Sequence, residues 1–283
     1  DMASILAENN VNIKRIDKLS PQEFNSLEVT ACVPAEVDTK KIKSSLLLAS
    51  TQHKVDVAFL KDNVFRRSKR LIVFDMDSTL IQAEVIDELA EAAGVGAEIK
   101  KVTEKAMNGE MDFSESLRQR VSKLEGLDTS KMQEILNNLP LTPGAEEFIK
   151  TVKMLGYKVA VISGGFTFFA NALKEKLGLD YAFANELEIV NNKLTGKVKG
   201  QIVDAEQKAA LLSLIAQQEN ISTEQVVAVG DGANDLPMLS LAGLGIAFHA
   251  KDIVKKQAQQ HMSHGPMTSI LYFLGIPGAN TIK

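Results

Sequence analysis

The side chains able to do chemistry in this 283-residue chain fall into a few short clusters. The run RLIVFDMDSTLIQ (70–82) ends four consecutive apolar residues with two carboxylates, Asp75 and Asp77, and then two hydroxyls, Ser78 and Thr79. GDGAND (230–235) repeats the pattern after another apolar run, placing Asp231, Asn234 and Asp235 among glycines that permit a tight turn. One acid pair after a strand is explained by capping of the next helix; two such clusters make that explanation serve twice. Carboxylates gathered at neighbouring strand ends raise one another's pKa unless a cation sits among them. A hard divalent cation meets that need, and Mg2+ typically combines one or two carboxylates with waters and a phosphate oxygen. The pattern therefore predicts a phosphate-bearing ligand.

Two further stretches fit such a ligand. VISGGF (161–166) supplies the Ser163 hydroxyl and the backbone N–H groups of Gly164 and Gly165, and leads into a helix whose N-terminus favours anions. Alone, Ser-Gly-Gly is most often a turn; its place beside two acid clusters makes it informative. Lys208, in VDAEQKAALLSLI, stands at the start of a helix, where a lysine is ordinarily solvent-facing, yet an acidic phosphate site needs a cation from the protein. Phe113, Leu117, Arg120 and Leu124 share one helical stripe, and the arginine interrupts an otherwise apolar face. Its stem packing while the head reaches water explains that equally well.

These groups need a scaffold. From residue 70 onward, apolar strands LIVF (71–74), KVAVIS (158–163), QVVAVG (225–230) and LGIAF (244–248) alternate with helical stretches. That alternation predicts an α/β fold: a Rossmann-like parallel sheet with helices on both faces and ligands at the carboxyl ends of its strands. About 80 residues separate the first two strands, and the excess, 84–138, reads as an inserted helical cap. ELEIVNNKLTGKVK (186–199) reads as a hairpin turning at Asn191-Asn192 on the sheet edge. Before the core, a helix at 4–8, a strand at 26–34, a helix at 38–52 and a strand at 54–62 suggest a small α+β domain over 1–65. RRSKR (66–70) reads as a solvated linker into a core of 66–83 and 139–283. Cys32 reads as a buried strand thiol.

The composition narrows the function. The net charge of −4 gives no basic footprint, so nucleic acid is not an expected partner. No apolar run approaches a membrane span, and the N-terminus lacks a basic-then-apolar leader, so a cytoplasmic location without membrane attachment is expected. The opening Asp1 in place of Met suggests a processed or truncated start. His261 and His264 in HMSHG are too sparse a pair to be read as a metal site.

DMDST (75–79), SGG (163–165), Lys208 and GDGAND (230–235), in that order on alternating strands, resemble the four motifs of the haloacid dehalogenase superfamily. The cap is similar, more narrowly, to that of the phosphoserine phosphatases, through Glu84, Met107, Phe113 and Arg120. Residues 1–65 resemble an incomplete ACT-type domain.

The resemblance implies hydrolysis of O-phospho-L-serine to serine and phosphate, the last step of serine biosynthesis, through an aspartyl-phosphate intermediate. Asp75 would be the nucleophile and Asp77 the general acid and base. Mg2+ would be held by Asp75, Asp231 and the backbone carbonyl of Asp77, with Asp235 in support. Ser163, Gly164 and Lys208 would bind the phosphoryl group, and Asn234 would orient the cluster. Glu84 would meet the substrate ammonium and Arg120 its carboxylate, while Met107 and Phe113 close the site. The alternatives are a phosphotransferase, a phosphatase for another small monoester, or a non-catalytic amino-acid sensor. A homodimer is a candidate assembly.

Overall fold

The computed structural model describes residues 2–19, 26–107 and 110–277, with Met107 described by its backbone alone. The chain begins with α1 (Met2–Glu8), β1 (Asn12–Lys18), β2 (Leu27–Cys32) and α2 (Thr39–His53). β1 and β2 pair antiparallel with Ile16 opposite Val29. Leu6, Val11, Ile42 and Leu46 bury a small core beneath this ribbon. β1 was not expected, because NIKRIDK interleaves charges with only two apolar residues. Cys32 is exposed rather than buried, since a two-stranded ribbon covers only one of its faces.

The strand expected at 54–62 does not form. Its backbone is satisfied by side chains instead: Phe59 N–H donates to Gln260 Oε1 at 2.9 Å, and Gln260 Nε2 donates to Phe59 O at 2.8 Å. One amide side chain thus supplies the donor and acceptor that a neighbouring strand would have offered. RRSKR is not simply solvated either. Arg66 forks onto Glu28 of β2 through Nη1–Oε1 at 3.0 Å and Nη2–Oε2 at 2.8 Å, and Lys69 is buried with Nζ donating to Glu224 O.

The central sheet starts with β3 (Leu71–Phe74), all four of whose side chains are buried. A single π-type turn, Met76–Leu80, follows it. Four helices then fill the segment expected as the cap: α3 (Val85–Ala93), α4 (Gly96–Met107), α5 (Phe113–Ser122) and α6 (Thr129–Asn138). The chain returns through α7 (Ala145–Met154), β4 (Lys158–Phe166), α8 (Thr167–Leu177) and the hairpin β5 (Tyr181–Val190) with β6 (Lys193–Lys199). It finishes with α9 (Ala205–Gln218), β7 (Val226–Gly230), α10 (Leu236–Leu241), β8 (Leu244–Phe248), α11 (Asp252–Gln257), β9 (Gln260–Met262) and α12 (Ile270–Phe273).

The strand order is β6-β5-β4-β3-β7-β8-β9, parallel throughout except for β6. Leu71 and Val73 pack with Leu212 and Ile215 of α9 on one face, while Ile72 and Phe74 pack with Phe148 and Ile149 of α7 on the other. Burial on both faces explains why LIVF is an unbroken apolar run rather than an alternating one. The chain leaves β3 toward β4 on one side and later returns to β7 on the other, so the crevice of the sheet opens at the carboxyl end of β3.

The cap is rooted where the chain enters and leaves it. Gln82 N–H donates to Pro140 O at 2.9 Å, Thr142 N–H to Leu80 O at 3.0 Å, and Thr142 Oγ1 to Thr79 O at 2.7 Å. A second attachment was not foreseen. The edge hairpin turns at Asn191 and Asn192, both with positive φ as its two-residue turn requires. It then reaches the cap through Gly126 N–H to Leu194 O at 2.8 Å and Thr129 N–H to Asn192 O at 2.9 Å. Among the described residues, no helix is long and apolar enough to cross a membrane.

Candidate active site

Strand register assembles the site. Phe74 lies level with Val161 of β4 and Val229 of β7. The residues just past that level, Asp75, Ser163 and Asp231, therefore come from three adjacent strands at one end of the sheet. β3 stops at Phe74, so Asp75 and Asp77 are not brought together by strand alternation. Asp77 is held by the π-type turn, in which it keeps extended φ/ψ and Ser78 takes a φ of 55°. A positive φ at serine is uncommon and costs some strain.

At the centre is Lys208, with no exposed surface. Its Nζ lies 2.8 Å from Asp75 Oδ1 and 2.7 Å from Asp235 Oδ1. Burial works against the lysine's charge, but the two carboxylates outweigh it and hold the ammonium protonated. Asp75 Oδ1 also accepts from Met76 N–H at 2.8 Å. Burial pushes the Asp75 carboxyl well above the usual range, the Asp235 charge adds to this, and Lys208 opposes it.

Asp75, Asp231 and Asp235 each offer an oxygen within 4.8 Å of the others, an all-carboxylate set able to hold a metal ion. Asp231 Oδ1 accepts from Thr79 Oγ1 at 2.9 Å, and burial raises its pKa to about 6. Both oxygens of Asp235 are committed, Oδ1 to Lys208 and Oδ2 to Gly232 N–H at 3.0 Å. Asp75 and Asp231 each keep one oxygen without a hydrogen bond among the described residues. A Cβ at Gly230 would stand 2.5 Å from the Asp235 carboxyl, which explains the first glycine of GDGAND. Asn234 sits half-buried in the same turn, its side chain against Gly232.

Asp77 faces this group from the other side. Its Oδ1 accepts from Val85 N–H at 2.9 Å and its Oδ2 from Ser163 Oγ at 3.3 Å. Burial, with the nearby Glu84 charge, pushes its pKa up to about 7. Gly165 N–H is taken by Ser163 Oγ at 2.8 Å, so that amide serves the loop itself rather than a ligand. A Cβ at Gly165 would lie 2.5 Å from Asp77 Oδ2, and one at Gly164 would lie 3.0 Å from the ring of Phe113. The cap's aromatic residue therefore rests directly on the loop.

Glu84 precedes α3 and accepts from Ser78 Oγ at 2.6 Å; partial desolvation raises its pKa. Arg120 is half-buried and donates from Nε to Ser116 O at 3.3 Å. Among the described residues no carboxylate lies within 4.0 Å of its guanidinium, although the charges of Asp87 and Glu84 act on it. Met107 ends α4, and its side chain lies outside the described residues. His261 and His264 are remote from this cluster: His261 contacts Ser50 Oγ, and His264 N–H bonds Asp56.

Three residues have supporting roles that the sequence reading did not assign. Thr79 holds Asp231, Thr142 holds the turn, and Asn185 bonds the SGG loop. Asn185 alone had a legible mark, being an amide inside an otherwise strand-forming run, where asparagine is depleted.

A family model described as haloacid dehalogenase-like hydrolase matches residues 69–243. The phosphoserine phosphatase of Archaeoglobus fulgidus is 50% identical over 240 residues, covering 85% of this chain and 70% of its own. A HAD family hydrolase from Salmonella enterica serovar Typhi superposes with a TM-score of 0.86 at 33% identity, over 96% of this chain and 92% of that one. A phosphoserine phosphatase solved as a phospho-aspartyl intermediate analogue superposes with a TM-score of 0.68 at 49% identity, over 73% of this chain and 99% of that one. The chain spans 70, 66 and 65% of the length of three curated phosphoserine phosphatases that it matches.

Proposed function

The chain belongs to the haloacid dehalogenase-like hydrolase family, and on that premise we propose that it hydrolyses O-phospho-L-serine to serine and phosphate. One observation carries the reading: two buried carboxylates with different partners meet at the end of β3, both with pKa values pushed up by burial. Asp75 is charge-paired with buried Lys208, and Asp77 has its pKa pushed up to about 7. A charge-paired carboxylate suits a nucleophile, and one that is half protonated near neutrality suits proton transfer in both directions.

Asp75 attacks phosphorus and forms the aspartyl-phosphate. Asp77 donates its proton to the departing serine oxygen, then takes one from the water that hydrolyses the acyl phosphate. Ser163 Oγ, the Gly164 N–H and Lys208 face the transferring phosphoryl group, where most of the catalysis of such reactions resides. Asn234 orients the GDGAND turn.

The donor set fits Mg2+, being all oxygen, short of one neutralising cation, and with one oxygen each of Asp75 and Asp231 uncommitted among the described residues. Asp75, Asp231 and the Asp77 backbone carbonyl would hold it with Asp235 behind them, and bound there it would neutralise phosphoryl charge. Substrate choice falls to the cap. Arg120, with no carboxylate partner among the described residues, takes the substrate carboxylate, Glu84 takes the ammonium, and Phe113 closes over the loop, a role the family resemblance gives to Met107 as well.

The proposed division is a regulatory or dimerising unit at 1–65, a cap at 84–138, and a core formed by the rest. Ile16, Leu27 and Val29, exposed on the ribbon, support a homodimer. A cytoplasmic enzyme of serine biosynthesis is the consistent setting. The test is phosphate release from a panel of small phosphomonoesters with and without Mg2+. Metal-dependent turnover selective for phosphoserine is expected, and a flat profile across the panel overturns the assignment. Diversion of phosphate to added alcohols would favour a phosphotransferase.

A further inference from the structure

We infer that Asn185 is a positioning residue that holds the phosphate-binding loop and the helix of Lys208 in one register. This rests on the proposed phosphoryl-transfer site and adds to it a residue that touches no substrate. Asn185 is 1% exposed, in the middle of β5 and opposite Phe166, where the β4 ladder resumes after an irregularity spanning the SGG residues. Its Nδ2 donates to Gly164 O at 2.8 Å and to Gly165 O at 3.2 Å. Its Oδ1 accepts from Val203 N–H at 2.8 Å. The partners fix the amide's orientation: two carbonyls on one side require the NH2, and an N–H on the other requires the oxygen.

Both ends of this clamp lead into the site. Gly164 and Gly165 follow Ser163, whose hydroxyl contacts Asp77. Val203 precedes Asp204, the N-cap of α9, whose carboxylate accepts from Gln207 N–H at 2.9 Å and whose carbonyl accepts from Lys208 N–H at 2.9 Å. Through one side chain, the loop facing the phosphoryl group and the helix carrying its cation are set relative to each other. Preorganisation of this kind acts on the transition state, where charge on the transferring group is greatest. The rest of the substrate falls to the cap, while the hydrogen bonds of the Asn185 side chain go to Gly164, Gly165 and Val203.

The experiment compares wild type with Asn185→Ala and the milder Asn185→Ser, measuring kcat and KM for phosphoserine, inhibition by orthovanadate with Mg2+, and melting temperature. Removing the clamp should lower kcat about 10- to 100-fold, in the range typical of outer supporting groups. KM should stay within about threefold, and vanadate inhibition should weaken in parallel with kcat. Asn185→Ser, which retains one donor, should fall between the two. A melting temperature that drops while kcat per folded molecule and vanadate inhibition stay unchanged would overturn the inference, as would failure of both variants to fold, since either result makes the role structural only. Wild type that releases no phosphate from any monoester overturns both the proposed function and this inference. Active wild type with unaltered variants overturns this inference alone.

Discussion

Lys208 Nζ lies 2.8 Å from Asp75 Oδ1 with its whole side chain enclosed, so this cation, the only one against the carboxylate among the described residues, cannot be replaced by solvent. Removing it leaves Asp75 and Asp235 as neighbouring buried charges with nothing between them.

Lys208→Met should therefore lower kcat for phosphate release by about two to three orders of magnitude, the usual effect of deleting one electrostatic stabiliser. Lys208→Arg should not restore it, because a planar guanidinium does not reproduce the compact ammonium that lies 2.8 Å from Asp75 and 2.7 Å from Asp235. Steady-state kinetics check both variants, and near-wild-type turnover in either one would contradict the central role given to this pair.

Arg120 is half-buried, and among the described residues no carboxylate lies within ion-pair distance of it. Arg120→Ala should raise KM for phosphoserine about 10- to 100-fold, the equivalent of one charge-assisted contact. KM for p-nitrophenyl phosphate, which has no carboxylate, should change little. Equal losses on both substrates would remove the arginine from substrate recognition.

Gly230 has no room for a methyl group, because a Cβ would meet the Asp235 carboxyl at 2.5 Å, and that carboxyl is pinned by Lys208 and Gly232 N–H. Gly230→Ala should destabilise the protein by about 1–3 kcal/mol through overpacking and weaken Mg2+ binding as the acid cluster shifts. Thermal melting with and without Mg2+ measures both effects; an unchanged metal-induced rise in melting temperature would show that the cluster tolerates the shift.

Glu28 and Arg66 tie β2 to the connector before the core, and the Arg66 hydrogen bonds hold the Glu28 carboxyl below its usual range. A carboxyl depressed in the folded state contributes stability above its unfolded pKa and loses it as pH falls through the folded one. Glu28→Gln should cost about 2 kcal/mol near neutrality, mainly by leaving a mostly buried guanidinium with only Asp62, 3.9 Å away, as counter-charge. The gap from wild type should stay constant above about pH 5 and close under acid. Denaturant titrations across pH would expose the error if the gap did not narrow.

Much of the core was legible along the chain. LIVF, VVAV and LGIAF are unbroken apolar runs because each is covered on both faces, and the acids that end two of them mark the functional edge of the sheet. The helical character of 84–138 and the Asn191-Asn192 turn were legible for the same reason, periodicity and turn chemistry being local properties, although the division of 84–138 into four helices was not. The N-terminal segment read poorly. β1 has a charged, half-exposed pattern, and the run at 54–62 has strand-like letters but finds its hydrogen bonds on Gln260, some 200 positions away.

What the sequence by itself determined is the set of reacting groups and their order, because residue type and spacing along a strand or turn are inherited directly by the local backbone. What only the tertiary structure decided is the state of those groups. Lys208 was legible as the cation an acidic phosphate site needs, but only β3 and the GDGAND turn enclose it completely, and Asp77 acquires its near-neutral pKa from burial beside Glu84. Asn185 became a clamp only when β5 lay between the SGG loop and the start of α9. Burial, charge coupling and hydrogen-bond partnership depend on which distant segments share a volume, and no local pattern of letters specifies that.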